Sequence, residues 1–180
     1  MKLGVFSDSH GNLDYLESAA SDAVHRGSAE VLIHLGDDFE DAKLLNQFGK
    51  RLIHVPGVFS KYYQDRTTAN RIIETFGPWG VLITHTRGKH PNDLETDLDP
   101  EEVVRSRAVN MVLYGHTHEP AVTVAQGVWF VNPGHLRRQD KKGRNASFAL
   151  VDLRDDGGMV RIFEMGSRTE LLRRELTLGT

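Results

Sequence analysis

Four apolar runs in this chain each end on a carboxylate or an imidazole, and that repetition limits the folds open to it. Leu3-Gly4-Val5-Phe6-Ser7 leads into Asp8-Ser9-His10, and Val31-Leu32-Ile33-His34-Leu35 into Gly36-Asp37. Val81-Leu82-Ile83-Thr84 leads into His85, and Met111-Val112-Leu113-Tyr114 into Gly115-His116-Thr117-His118. A short continuous apolar run bounded by turn residues reads as a buried strand. In open, mostly parallel sheets, ligands bind beyond the carboxyl ends of the strands. The pattern therefore predicts that Asp8, His10, Asp37, His85, His116 and His118 gather along one sheet edge.

The segments between these runs supply the rest of the architecture. Asn12 opens a helix to about Arg26, with Leu13, Leu16, Ala20 and Val24 near helical spacing, and Gly27 stands where a helix stops. Asp41 to Phe48 reads as a short helix ended by Gly49, and Leu52 to Val55 as a strand stopped by Pro56-Gly57. Thr67 to Phe76 reads as a helix with Ile72, Ile73 and Phe76 inward. Arg87 to Asp99 is a polar, solvated loop over the site, from which Arg87, Lys89 and His90 could reach a phosphate. Pro100 starts a helix to about Ala108. Beyond Pro120 the texture changes: Val122 to Val124, Val128 to Val131, Ser147 to Asp152 and Val160 to Met165 read as strands, and Glu170 to Leu178 as strand or helix. Alternation of strand and helix argues for a parallel, doubly wound sheet. The helix-poor final third argues for a second, largely antiparallel sheet packed on it, with residues 1–180 forming one α/β domain.

Composition narrows the function. The chain has no cysteine, which removes thiolate ligands, disulfides and cysteine nucleophiles together and fits a reducing cytoplasm. No apolar run approaches the roughly 20 residues that span a bilayer, and Met1 to Phe6 is too short for a signal peptide, so no membrane partner is expected. With a formal net charge of −3, no global basic field recruits nucleic acid. The basic stretches Arg137-Arg138 and Lys141-Lys142-Gly143-Arg144 read as a solvated loop. Composition leaves the oligomeric state open, a homo-oligomer included.

Oxygen and nitrogen donors without sulfur suit Mn, Fe, Zn, Ni or Mg; Mn is the first expectation, with Ni, Co, Fe, Zn or Mg as alternatives. Asp8 and His10 are two apart, as are His116 and His118, so short segments can aim two side chains at one place. One aspartate among several histidines suggests a bridged pair of divalent metal ions. Two ions about 4 Å apart hold phosphate oxygens and generate a hydroxide that attacks phosphorus in line. Such a site needs no nucleophilic side chain, in keeping with a chain that has no Gly-x-Ser-x-Gly elbow. The expected partner is a small phosphorylated substrate. His34 and His54 fall inside strands and read as structural, and His25 sits late in a helix, where partial positive charge is favoured.

The set Asp8-x-His10, Gly36-Asp37, His85 and Gly115-His116-x-His118 resembles the calcineurin-like metallophosphoesterases. Phe6-Ser7-Asp8-Ser9-His10-Gly11-Asn12 and Val131-Asn132-Pro133-Gly134 resemble their small single-domain phosphodiesterase branch. The resemblance covers roughly residues 1 to 165. It implies an α/β (α+β) four-layer fold, a two-sheet mixed β sandwich flanked by helices. It implies one metal on Asp8, His10, Asp37 and His118, and a second on Asp37, His85, His116 and an asparagine from a Gly-Asn motif. It makes Asp37 and His116 the catalytic pair, and Asn12, His90 and His135 candidates for substrate contact. In this chain the motif reads Gly57-Val58-Phe59-Ser60: Val58 replaces the asparagine, Phe59 a His or Cys near the leaving group, and Ser60 an aspartate. Thr86 and His135 also depart from the usual Gly and Ser. The second metal thus keeps three of four ligands and is expected to bind more weakly, with His135, Asp38 and His90 as chemical substitutes. Without an acid at position 59, esters with good leaving groups should react best. The alternative is a scaffold or regulatory module that keeps the fold and lacks turnover.

Overall fold

The computed structural model describes residues 1–138 and 140–178. Two mixed sheets lie face to face. The first has six strands in the order β11-β10-β9-β1-β2-β3, and the second five in the order β4-β5-β6-β8-β7. In the first, β1 (Lys2–Phe6), β2 (Val31–His34) and β3 (Arg51–His54) run parallel, while β9 (Ser147–Arg154), β10 (Gly157–Glu164) and β11 (Glu170–Leu176) add on antiparallel. In the second, β5 (Trp79–Thr84), β6 (Met111–Leu113) and β8 (Val128–Asn132) are parallel, flanked by antiparallel β4 (Arg71–Phe76) and β7 (Ala121–Ala125).

The period of two along each strand sorts the core into three layers. Leu3, Val5, Val31 and Ile33 from the first sheet meet Val81, Ile83, Met111, Leu113 and Val131 from the second in one buried cluster. The opposite face of the first sheet, with Phe6 and Leu32, packs on Leu16, Ala19, Ala20 and Ala23 of α1 (Leu13–His25). The opposite face of the second, with Leu82, Val112 and Phe130, packs on Val103 and Val104 of α2 (Pro100–Arg105). The result is the helix–sheet–sheet–helix sandwich implied by the resemblance. Among the described residues no helix is long and apolar enough to cross a membrane.

Three expectations are corrected. Residues Arg71–Phe76 form a strand, not the second half of a helix over Thr67 to Phe76. Gly77-Pro78, with Gly77 at φ 59°, closes a two-residue hairpin that pairs Phe76 with Trp79, so hairpin closure overrides the approximate helical spacing. The final third does not build a separate antiparallel sheet: β7 and β8 extend the second sheet, while β9 to β11 extend the first through β1. Residues Phe39–Phe48 form 3₁₀ turns rather than a helix from Asp41, tied to the loop after β1 by Asp41, whose carboxylate accepts from Ser9 Oγ at 2.7 Å and Gly11 N at 2.8 Å.

Candidate metal centre

Each predicted ligand follows the carboxyl end of a parallel strand: Asp8 and His10 after β1, Asp37 after β2, His85 after β5, His116 and His118 after β6. The strands stop there because the chain must turn sharply. Asp8, His10, Asp37, His116 and His118 all adopt positive φ, five of the nine described non-glycine residues that do. Such backbone costs on the order of 1–3 kcal/mol per residue and persists where surrounding contacts over-determine it. Gly115 permits the close approach that this requires: a Cβ there would lie 1.9 Å from Ser7 Oγ and 2.7 Å from Asp8 Oδ2.

Asp8 is fully buried and divides its two oxygens. Oδ2 accepts from Ser7 Oγ and, at 3.0 Å, from the His116 amide. Oδ1 has no hydrogen-bond partner among the described residues and faces His118 Nε2 at 3.3 Å. A buried, unsatisfied carboxylate oxygen is costly, and a cation removes that cost. Asp37 also divides. Its Oδ2 lies 2.6 Å from His10 Nε2 and its Oδ1 3.2 Å from His85 Nε2. Beyond these, His10 Nε2 is 3.2 Å from His118 Nε2, and His85 Nε2 is 3.2 Å from His116 Nδ1. The ligand atoms of Asp8, His10, Asp37 and His118 all lie within 4.8 Å of one another. The Asp8, His10, Asp37 and His118 atoms are a donor set suited to a divalent cation, and His85, with His116 behind it, faces the other oxygen of Asp37.

Surrounding groups fix which nitrogen is free in two of the rings. His85 Nδ1 donates to the Leu35 carbonyl at 2.8 Å, leaving Nε2 toward Asp37. His118 Nδ1 donates to Asp140 Oδ1 at 3.0 Å, leaving Nε2 toward Asp8 and His10. Such orienting partners raise ligand basicity and hold ring geometry. Asp140, which sequence reasoning missed, also accepts from the Lys142 amide, and hydrogen bonds outweigh desolvation to hold its carboxyl down at about 2. Replacing Asp140 with Ala should weaken cation binding at the Asp8 side by ~10- to 100-fold. Calorimetric Mn titration checks this, and unchanged affinity would assign Asp140 to its loop alone.

Burial pulls the His85 imidazole down, but the hydrogen bond and charge of Asp37, with the Asp8 charge, carry it above its ordinary value. Burial raises Asp37, and its two histidine partners more than reverse that, so its carboxyl titrates well below the usual range. His118 is raised, chiefly by the Asp8 hydrogen bond against desolvation, whereas burial and the neighbouring His85 lower His116.

His34 and His54 lie in strands and outside the ligand cluster, as the sequence indicates. His34 is fully buried, donates from Nε2 to Ser9 Oγ at 3.1 Å, and is pushed down to about 4 by burial. A histidine lowered on folding contributes stability that is complete above its unfolded pKa near 6.5 and lost as pH falls toward 4. Over that window the loss should be about 3 kcal/mol. Denaturant unfolding of His34→Gln should show a shallower dependence between pH 6.5 and 4 than wild type, and parallel curves would contradict it.

The remaining candidates separate. Asn12 donates to the Ser9 and His10 carbonyls at 2.7 and 3.2 Å, shaping the ligand loop from within. His135 is buried and packs against His118 with ring centroids 5.0 Å apart, on the first-metal side, so it does not complete the second set. Asp38 is exposed, with its carboxyl raised by desolvation and Asp41. His90 lies beside His116, centroids 5.9 Å apart, which puts it on the second-metal side. Val58, at the position where the resemblance implies an asparagine, is buried, and Phe59 is 78% exposed with its ring 6.4 Å from that of His116. The loop over residues 87–99 is not loosely solvated. Arg71, 6% exposed, grips Asp93 through two hydrogen bonds at 2.9 and 2.8 Å and the Leu98 carbonyl at 3.0 Å. Arg87 instead packs over Phe130, and Lys89 pairs with Asp99 at 2.9 Å.

A family model described as "Calcineurin-like phosphoesterase superfamily domain" matches residues 1–156. The probable metallophosphoesterase YsnB of Bacillus subtilis (strain 168) is 25% identical over 179 residues, 99% of this chain and 100% of that protein. The phosphodiesterase MJ0936 of Methanocaldococcus jannaschii is 24% identical over 148 residues, 74% of this chain and 83% of that one. The crystal structure of a Vps29 single mutant from Entamoeba histolytica superposes with a TM-score of 0.71 at 17% identity, covering 98% of this chain and 100% of that one. A match over most of the chain, joined to a histidine–aspartate centre at the sheet edge, makes this protein a member of the calcineurin-like phosphoesterase superfamily.

Proposed function

We propose that the protein hydrolyses small phosphodiesters with two divalent cations, Mn foremost. The observation that carries this reading is Asp37, whose two carboxylate oxygens face two different imidazoles, His10 and His85. Asp8, His10, Asp37 and His118 would hold one ion, and Asp37, His85 and His116 the other. When bound, such ions neutralise phosphate charge and activate water. The chain's own contribution is positional. Asp37 joins the two halves, and His85 and His118 enter with their tautomers set by the Leu35 carbonyl and Asp140. Phe59 and His116 form one wall, beside which the phosphoryl group would sit. His90 is the substrate contact that the geometry supports best, since its ring lies beside those of Phe59 and His116, whereas Asn12 is engaged internally and His135 packs against His118. Diester preference follows the phosphodiesterase relative and is the finer part of the proposal.

The test is hydrolysis of bis-p-nitrophenyl phosphate and p-nitrophenyl phosphate by chelator-treated protein, with Mn, Ni, Co, Zn or Mg restored singly. Metal-dependent turnover with the diester preferred is expected. Turnover no greater than metal alone, in folded protein, would favour the second reading: a scaffold that keeps the fold. Two observations support that alternative, the missing ligand at Val58 and the exposed Phe59. A nucleic-acid partner has less support, because two of the five cations in the basic stretch are already paired, Arg138 with Asp14 and Arg144 with Glu119.

A further inference from the structure

The turn that lost its metal ligand and its leaving-group side chain is bonded to the loop that carries His90. Asn92 Nδ2 donates to the Val58 carbonyl at 2.9 Å, and Gln64 Nε2 donates to the Asn92 carbonyl at 2.6 Å. Asp93, next in the chain, accepts from Tyr63 Oη at 2.6 Å and from Arg71, whose side chain is 1% exposed. The same Asp93 accepts the His90 amide at 3.0 Å. His90 is therefore anchored through a buried ion pair. Its ring is held 5.8 Å from that of Phe59 and 5.9 Å from that of His116.

The ring's hydrogen bond decides what it can do there. The Asn92 amide donates to His90 Nδ1 at 3.2 Å. An imidazole that accepts at Nδ1 carries its proton at Nε2 in the neutral form. Nε2 is then a donor and offers no lone pair, so His90 is a poor replacement for the missing ligand of the second metal. A groove of about 620 Å³, lined by Val58, Phe59, Ser60, Lys61, Pro91 and Asn92 among others, opens beside it.

We propose that His90 Nε2–H is the hydrogen-bond donor that meets the leaving oxygen of the substrate, supplying from the 87–99 loop what position 59 no longer offers. The proposal rests on the phosphoesterase reading above. In the step concerned, water adds its oxygen to phosphorus and the bond from phosphorus to the leaving oxygen breaks, its electron pair staying on that oxygen. His90 stabilises the growing charge there while keeping its own proton, as a neutral imidazole can. The proton released by water ends on the departing alcohol, and the products are a phosphomonoester and an alcohol. The departing group lies toward the groove.

A donor at the leaving oxygen matters most when that oxygen is basic. Mn-loaded wild type, His90→Ala and His90→Gln are compared on methyl phenyl phosphate and methyl p-nitrophenyl phosphate. Ala should lose ~100-fold in kcat on the phenyl ester, the scale for removing one preorganised donor. It should lose little on the nitrophenyl ester, and Gln, which keeps an N–H, should recover part of the deficit. Independently of turnover, nitrogen NMR of the metal-free protein should assign His90 as the Nε2–H tautomer, using the resonances missing in His90→Ala. Equal losses on both esters, no loss, or an Nδ1–H tautomer would overturn the assignment of His90 alone. A wild type inert on both esters would overturn the phosphoesterase reading and this proposal with it.

Discussion

Asp37→Ala is expected to abolish binding at both cation sites and to lower turnover on the order of 10³-fold or more, since each ion supplies several kcal/mol of charge stabilisation. The effect is large because one residue serves both halves: Oδ2 faces His10 at 2.6 Å and Oδ1 faces His85 at 3.2 Å. The loss should come without unfolding. Asp37 contributes no apolar packing, although the fully buried His85 loses a partner, a cost of about 1–3 kcal/mol. Calorimetric Mn titration and hydrolysis of bis-p-nitrophenyl phosphate read the two parts separately. Two bound ions or undiminished turnover in Asp37→Ala would contradict the bridging role.

Val58→Asn should act with opposite signs in the two states of the protein. Without metal, it places an amide where a 2% exposed valine packs, and an unsatisfied buried polar group costs about 1–3 kcal/mol. With metal, the amide oxygen supplies the missing fourth ligand. A polar contact to a charge contributes about 1.5–3 kcal/mol, so the weaker ion should bind ~10- to 100-fold tighter. Thermal unfolding with and without Mn reads both signs: a lower Tm for the metal-free variant and a larger upward shift on metal addition. A variant destabilised to the same extent in both states would mean that position 58 does not face the second ion.

The candidate ligands were legible in the sequence because they obey a local rule: each follows an apolar strand and lies in a turn. Asp8, Asp37, His85 and His116 needed no long-range information to be placed at a sheet edge. Which strands neighbour which did need it. β9 pairs with β1 across the length of the chain, Lys2 opposite Asp152, and nothing local in Ser147 to Arg154 states that choice. The misread Thr67 to Phe76 segment has apolar residues that suit either period, and the tight Gly77-Pro78 hairpin decided between them. Asp140 sits in a polar, turn-rich stretch where one carboxylate looks like any other. The only signal pointing to it is chemical: a ligating imidazole such as His118 needs an acceptor for its second nitrogen. The locked 87–99 loop was hidden for a similar reason. Arg71 lies inside the misread Thr67 to Phe76 segment, and its partner Asp93 is 22 residues away.

The most direct measurement is a crystal structure of the Mn-loaded protein with anomalous scattering recorded for manganese. Two peaks sharing Asp37 are expected, one among Asp8, His10 and His118 and a weaker one beside His85 and His116. A single ion held by His118, His135 and Asp140, whose ligand atoms also lie within 4.8 Å of one another, would contradict this.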